Sequence, residues 1–172
     1  MRQRGFTLVE ILVALVIIGV MVIGVTLATG TAHGDRALEA ERDRILALAD
    51  HFRDQAALQV REYGIRCFEG GYQLLYYDPR IGLWQDEGDD LLRARELPEG
   101  ISMRLWIEGR PVVLPEAEVD PDQRTPQILL YSSGDLSLFE LELRREQGAG
   151  VRIAPAETSV EIEATMLEPE PA

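Results

Sequence analysis

The chain has 172 residues, 30 of them acidic and 17 basic, every basic one an arginine, for a formal net charge of −13. That balance repels phosphate backbones, and no basic stripe interleaved with aromatics offsets it, which argues against nucleic-acid binding. A lone cysteine, Cys67, excludes an intramolecular disulfide, and the about 140 residues after the N-terminal apolar run suffice for one domain with a real core.

The first predicted element is an apolar run over 6–28, in which only Glu10 can carry a charge. As a helix it reaches roughly 34 Å, enough to cross a bilayer core. A carboxylate inside such a run is costly in hydrocarbon and is a functional candidate that needs a partner. Three readings compete. A conventional cleaved signal peptide has a shorter apolar segment, about 7–15 residues, and a small-residue cleavage site such as 28–30 or 30–32. A plain uncleaved anchor accounts for the length and for Arg2 and Arg4 on the cytoplasmic side, but not for Glu10. The third reading rests on the leader: a basic segment of five residues ending in Gly5, then Phe6, then Glu10 at the fifth place after the glycine.

That arrangement, Arg4-Gly5-Phe6-Thr7-Leu8-Val9-Glu10, resembles the prepilin signal of type IV pilins and type II secretion pseudopilins. The resemblance implies that a dedicated aspartyl peptidase removes leader 1–5 by cutting after Gly5, on the cytoplasmic side of the inner membrane. It implies N-methylation of the new terminus at Phe6. It also implies that Glu10 pairs with the free amine of a neighbouring subunit during assembly. The physics agrees, because an ammonium and a carboxylate in low dielectric are each costly alone and less so together. Removing the leader takes away Arg2 and Arg4, leaving 15 basic against 30 acidic side chains, or −15.

Residues 29–64 read as an amphipathic continuation of the helix. The stretch 29–34, with two Gly and two Thr, is weakly helical. Beyond it Leu38, Ile45, Leu48, Ala49, Phe52, Ala56 and Tyr63 fall on one broad apolar stripe. Asp35 suits a cap, and Gly64 stands where a left-handed C-terminal residue is expected. Continuous from residue 6 to 63, such a helix is about 87 Å long.

After Gly64 the period changes to two. Strands are predicted over 65–68, 72–78, 83–85, 92–97, 101–108, 128–131, 137–144, 151–154 and 159–166. Ser132-Ser133-Gly134-Asp135 reads as a hairpin turn between two of them. Cys67 then reads as a small buried apolar residue of a strand. The stretch 109–126 holds four prolines and four acidic residues with little strand pattern beyond 112–114, and reads as a mobile excursion. The end, 168–172, has no core-forming residue and reads as a disordered tail. One amphipathic helix packed on antiparallel sheets over 65–167 gives an α+β domain, which is the pilin-like fold that the resemblance implies.

The likeness narrows further along the chain. Arg93-Ala94-Arg95-Glu96-Leu97-Pro98-Glu99-Gly100, then Ser133-Gly134-Asp135 followed by Leu138-Phe139-Glu140-Leu141, with Tyr72-Gln73 and Trp84-Gln85, resemble blocks of the H-type minor pseudopilin of type II secretion. No catalytic constellation accompanies them. The two histidines, His33 and His51, have no metal-ligand spacing around them, and Ser132 and Ser133 are explained as turn residues. The cluster Asp86-Glu87-Gly88-Asp89-Asp90 lacks the alternating ligand spacing of a calcium loop and reads as a solvated acidic loop. The sequence therefore predicts neither enzyme activity nor a cofactor or metal.

The resemblance implies a structural subunit near the tip of a periplasmic pseudopilus that drives exoprotein export through an outer-membrane secretin. Its implied partners are the major and minor tip pseudopilins, the inner-membrane assembly platform and the prepilin peptidase/methyltransferase, with one pass through the inner membrane and the C-terminal domain in the periplasm. A minor pilin of a type IV pilus, of tip-initiating or DNA-uptake kind, shares the same anchor and fold. A periplasmic binding domain on an unrelated anchor is the third possibility.

Overall fold

The structure, a computed structural model, describes residues 8–86, 90–117, 120, 123–146, 148–156 and 161–169. The chain divides into two units, Met1–Arg36 and Ala37–Ala172. Helix α1 runs Leu8–Gln59, Gly30 and Gly34 included. In the first unit side chains are described for residues 11–18 and Arg36 only, and Gly5 and Phe6 lie outside the described residues. Among the described residues no helix is long and apolar enough to cross a membrane.

The second unit begins with the amphipathic end of α1. Leu38, Ile45, Leu48, Ala49, Phe52 and Ala56 are buried, and Glu41 is buried among them. This is the apolar stripe expected from the 3.6-residue period, with one charged member added. The helix ends at Gln59, earlier than Gly64. Val60 takes φ 50° and the Arg61 N–H donates to the Ala56 carbonyl at 3.1 Å. That is the Schellman pattern, in which a left-handed residue lets the chain cap its own last carbonyls. Gly64 has a different reason to be glycine. It lies inside strand β1 (Tyr63–Phe68), where a Cβ would stand 2.5 Å from the Pro126 Cγ.

Two five-stranded antiparallel sheets complete the unit. In the first, β1 pairs with β2 (Gly71–Asp78) through a tight hairpin, Phe68 opposite Gly71. Strand β3 (Leu83–Gln85) extends β2 on its far side, and β4 (Arg95–Glu96) pairs with the start of β2. Strand β7 (Ile128–Leu130) pairs with β1. The second sheet has the order β10 (Ile162–Leu167), β9 (Gly150–Pro155), β8 (Phe139–Arg145), β5 (Ile101–Ile107), β6 (Arg110–Val112). Side chains from α1 and both sheets share one core, including Phe52, Ile65, Leu74, Leu105, Leu143 and Ile153. Strand β5 shows why: Ile101, Met103 and Leu105 are buried while Ser102 and Arg104 are exposed, the alternation of a strand with one wet face.

Two further local expectations change. The strand predicted over 92–97 becomes a 3-10 turn, Asp90–Leu92, followed by the two-residue β4. Leu92 is buried in the core and Leu97 packs against it, while pairing is confined to Gly71↔Glu96 and Tyr72↔Arg95. The turn at 132–135 is closed by Gly134 N–H to the Tyr131 carbonyl (2.9 Å), yet it joins strands of different sheets. Beyond the single bridge Leu130↔Leu136, the chain crosses from β7 to β8. The crossing follows from the core, which needs the apolar faces of both strands.

Within 109–126 the described residues form β6 and then run along the outer face of β1. Glu69 N–H donates to the Pro115 carbonyl (2.8 Å), and the buried Arg66 guanidinium donates to the carbonyls of Glu116 (2.9 Å) and Ala117 (3.3 Å). Gln127 clamps the same strand, accepting from Cys67 N–H at 2.7 Å and donating to its carbonyl at 3.2 Å. This cover explains why every residue of β1 is buried, although the sequence alternates.

Candidate functional site

The candidate assembly segment begins at the N-terminus. The Glu10 backbone belongs to α1, but its side chain, like Gly5 and Phe6, lies outside the described set. The next residues are described. Ile11, Leu12, Val13, Leu15, Val16, Ile17 and Ile18 are each about half exposed or more, Leu15 at 64%. They surround the helix rather than forming a stripe. A helix that is apolar all round requires cover from hydrocarbon or from other helices, since water around it is unfavourable.

The second feature is a charge cluster inside the domain. Glu41 is 2% exposed and sits on α1 between Leu38 and Ile45, in the apolar stripe. Tyr72 of β2 donates its hydroxyl to Glu41 Oε1 at 2.6 Å. Arg95 of β4 grips both carboxylate oxygens, Nε to Oε1 at 3.0 Å and Nη2 to Oε2 at 2.9 Å. Because Tyr72 and Arg95 stand opposite each other in the β2–β4 pairing, strand register sets the two donors side by side. Burial alone pushes the Glu41 carboxyl up, but the hydrogen bonds of Arg95 and Tyr72 and the charges of Arg95 and Arg44 outweigh it and hold it below its ordinary value. Burial and the bond to Glu41 push the Tyr72 hydroxyl well above the usual range, and Glu41 raises Arg95. The cluster is thus a carboxylate with an arginine and a neutral phenol, all hydrogen-bonded and all fixed. It has no proton to exchange near neutral pH.

Nothing in the sequence reading singled out Glu41. The signal was present: it stands three residues after Leu38 and four before Ile45, where an apolar residue belongs. Arg95 and Tyr72 lay in two separate blocks, and only the tertiary structure brings them to the same carboxylate.

The other singled-out residues have structural partners. Cys67 is fully buried and its thiol is pushed up to about 12 by that burial, so it stays a protonated core residue. His51 is exposed and packs edge-on against Phe52 at 5.1 Å. Of the acidic cluster 86–90, residues 87–89 lie outside the described residues. Asp86 accepts from Gln73 (2.7 Å) and Arg124 (2.6 Å), and Asp90 pairs with Arg93 (2.9 Å). Ser132 donates its backbone N–H and its hydroxyl to Glu62, at 2.9 and 2.7 Å, which pins the turn to the end of the helix.

Comparison with known proteins places these features. The prokaryotic N-terminal methylation motif matches residues 1–26. Type II secretion system protein H of Pseudomonas aeruginosa is 38% identical over 145 residues, 82% of this chain and 83% of that protein. The protein of the same description from Aeromonas hydrophila is 31% identical over 151 residues, 84% of this chain and 82% of its own length. In fold, the domain resembles two structures of the minor pseudopilin EpsH from the type II secretion system of Vibrio cholerae. One has a TM-score of 0.59 at 18% identity and covers 79% of this chain and 99% of EpsH. The other has a TM-score of 0.57, also at 18% identity, with 79% and 96% covered. A methylation motif heading a long helix, with an α+β domain behind it, defines the class that type IV pilins and pseudopilins share. Within that class, the chain belongs to the type II secretion system protein H family.

Proposed function

We propose that this chain is a structural subunit, a minor pseudopilin near the tip of the periplasmic pseudopilus, and performs no chemistry of its own. The observation that carries this reading is the stretch 11–18, inside the matched methylation motif, whose large apolar side chains are exposed on every side of the helix. Such a surface is stable only in a bilayer or a helical bundle, and a subunit that moves from one to the other needs both. In this reading the leader is cut after Gly5 and Phe6 is methylated. Glu10 meets the terminal amine of a neighbouring pseudopilin, and the domain of residues 37–172 faces the periplasm. The partners are other pseudopilins, major and minor, together with the inner-membrane platform and the prepilin peptidase.

Intact mass and N-terminal sequencing of the membrane form test the processing. Recovery of N-methylated Phe6 is the expected result, whereas a mature terminus at Met1 or near Ala32 refutes it. Glu10→Val is expected to be cleaved normally yet to lose most exoprotein export in a strain without its own copy. Normal export by that variant removes Glu10 from the assembly contact.

A further inference from the structure

We propose that Glu41, Tyr72 and Arg95 form a register clamp that fixes which face of helix residues 37–59 the domain presents to neighbouring subunits; the inference rests on the assembly role above. An apolar stripe alone holds a helix on a sheet loosely in angle and register, because burial of Leu38, Ile45, Leu48 and Phe52 is rewarded whichever neighbour covers them. A bidentate carboxylate–guanidinium pair has a narrow geometry and is satisfied in one register only. Glu41 is buried while the Arg95 side chain is 41% exposed; such pairs contribute little net stability, and the best-attested use of a charge placed inside a core is to select one arrangement among several of similar energy.

Three observations point to that use here. The clamp joins three elements far apart in sequence, and among the described residues no buried side-chain polar atom is left without a partner. Strand β4 approaches β2 through Gly71, where a Cβ would stand 2.2 Å from the Arg95 carbonyl oxygen, so the backbone is shaped to bring Arg95 in. Arg95 and Tyr72 also come from two separate blocks that resemble the H-type pseudopilin. With Glu41 held inward, Ala40, Asp43, Arg44, Ala47, His51 and Leu58 are exposed. These residues form the helix face available to a neighbour. A rotation by one residue, about 100°, replaces that face with another.

The test uses the full chain in a secreting strain that lacks its own copy, with export normalised to folded, processed subunit. The paired change Glu41→Met with Arg95→Met, made together with Tyr72→Phe so that no buried hydroxyl is left without its acceptor, replaces the cluster by apolar volume. It is expected to fold with an unchanged or higher thermal midpoint, while export per folded subunit falls about tenfold, within the range of typical coupling effects. Cysteine crosslinking from Ala47→Cys to neighbouring subunits, with Cys67 buried and silent, is expected to shift or spread in the paired variant. Glu41→Gln and Tyr72→Phe, which keep the shape, are expected to give smaller losses in the same normalised export and carry the test if the paired variant does not fold. Export that simply tracks the folded fraction in all variants, with crosslinks unchanged, overturns the clamp and leaves a merely structural ion pair. Failure of the assembly role itself reads differently: deletion of the whole chain then leaves export intact.

Discussion

Val60 shows how a single residue carries strain that the fold does not need. It closes α1 at φ 50° with its side chain 81% exposed. A non-glycine residue in that conformation costs about 1–2 kcal/mol, and an exposed valine recovers little of this by burial. Val60→Gly is therefore expected to stabilise the full chain by about 1 kcal/mol, less the added freedom of the unfolded glycine, raising the thermal midpoint by a few degrees. Circular-dichroism melting in detergent checks it. A lower midpoint would mean that the valine makes contacts its exposure hides.

Among the elements, β4 is the smallest and its position the most demanding. It is two residues long, yet it delivers Arg95 to Glu41 and tolerates no side chain at Gly71. Gly71→Ala pushes a Cβ against a strand carbonyl at 2.2 Å, whereas the same change at Gly64 meets the Pro126 ring at 2.5 Å. A backbone carbonyl held in a ladder yields less than a proline in a connecting segment. Both changes overpack and are expected to destabilise by roughly 1–3 kcal/mol, Gly71→Ala by more, and denaturant midpoints of the two variants decide the order. The short strand was only partly legible in the sequence. The Arg93–Gly100 block read as a six-residue strand over 92–97, because nothing local says that pairing stops where Leu92 turns inward.

At the scale of the whole molecule, acid stability follows from two carboxylates held below their usual values. Glu41 is lowered by its hydrogen bonds against the opposing effect of burial, and Asp78 is lowered to about 2 chiefly by its hydrogen bonds from Arg80. A group whose folded value is depressed contributes stability that is complete above its unfolded value, about 4.3 for Glu. That contribution is lost as pH falls through the folded value, when the native state must take up the proton. Acidification also relieves the mutual repulsion of a chain at −13, so stability is expected to hold or rise from pH 7 to about 5 and then fall steeply below about 4. In Glu41→Gln the acid limb should become shallower, along with a lower midpoint at pH 7. Melting curves from pH 3 to 7 read both, and a limb of unchanged slope would separate Glu41 from the acid transition.

The sequence by itself determined the apolar run with its one carboxylate, the amphipathic stripe of α1 and most of the strands, because each is written in a local period that burial on one face imposes. It also carried the leader pattern that marks the class. Only the tertiary structure decided what periodicity cannot encode. Val60 rather than Gly64 ends the helix, because the Schellman bonds close there. The chain at 113–117 covers β1, because Arg66 needs carbonyl partners once buried. A glutamate in an apolar stripe can be satisfied because β2 and β4, distant in sequence, place a phenol and a guanidinium against it.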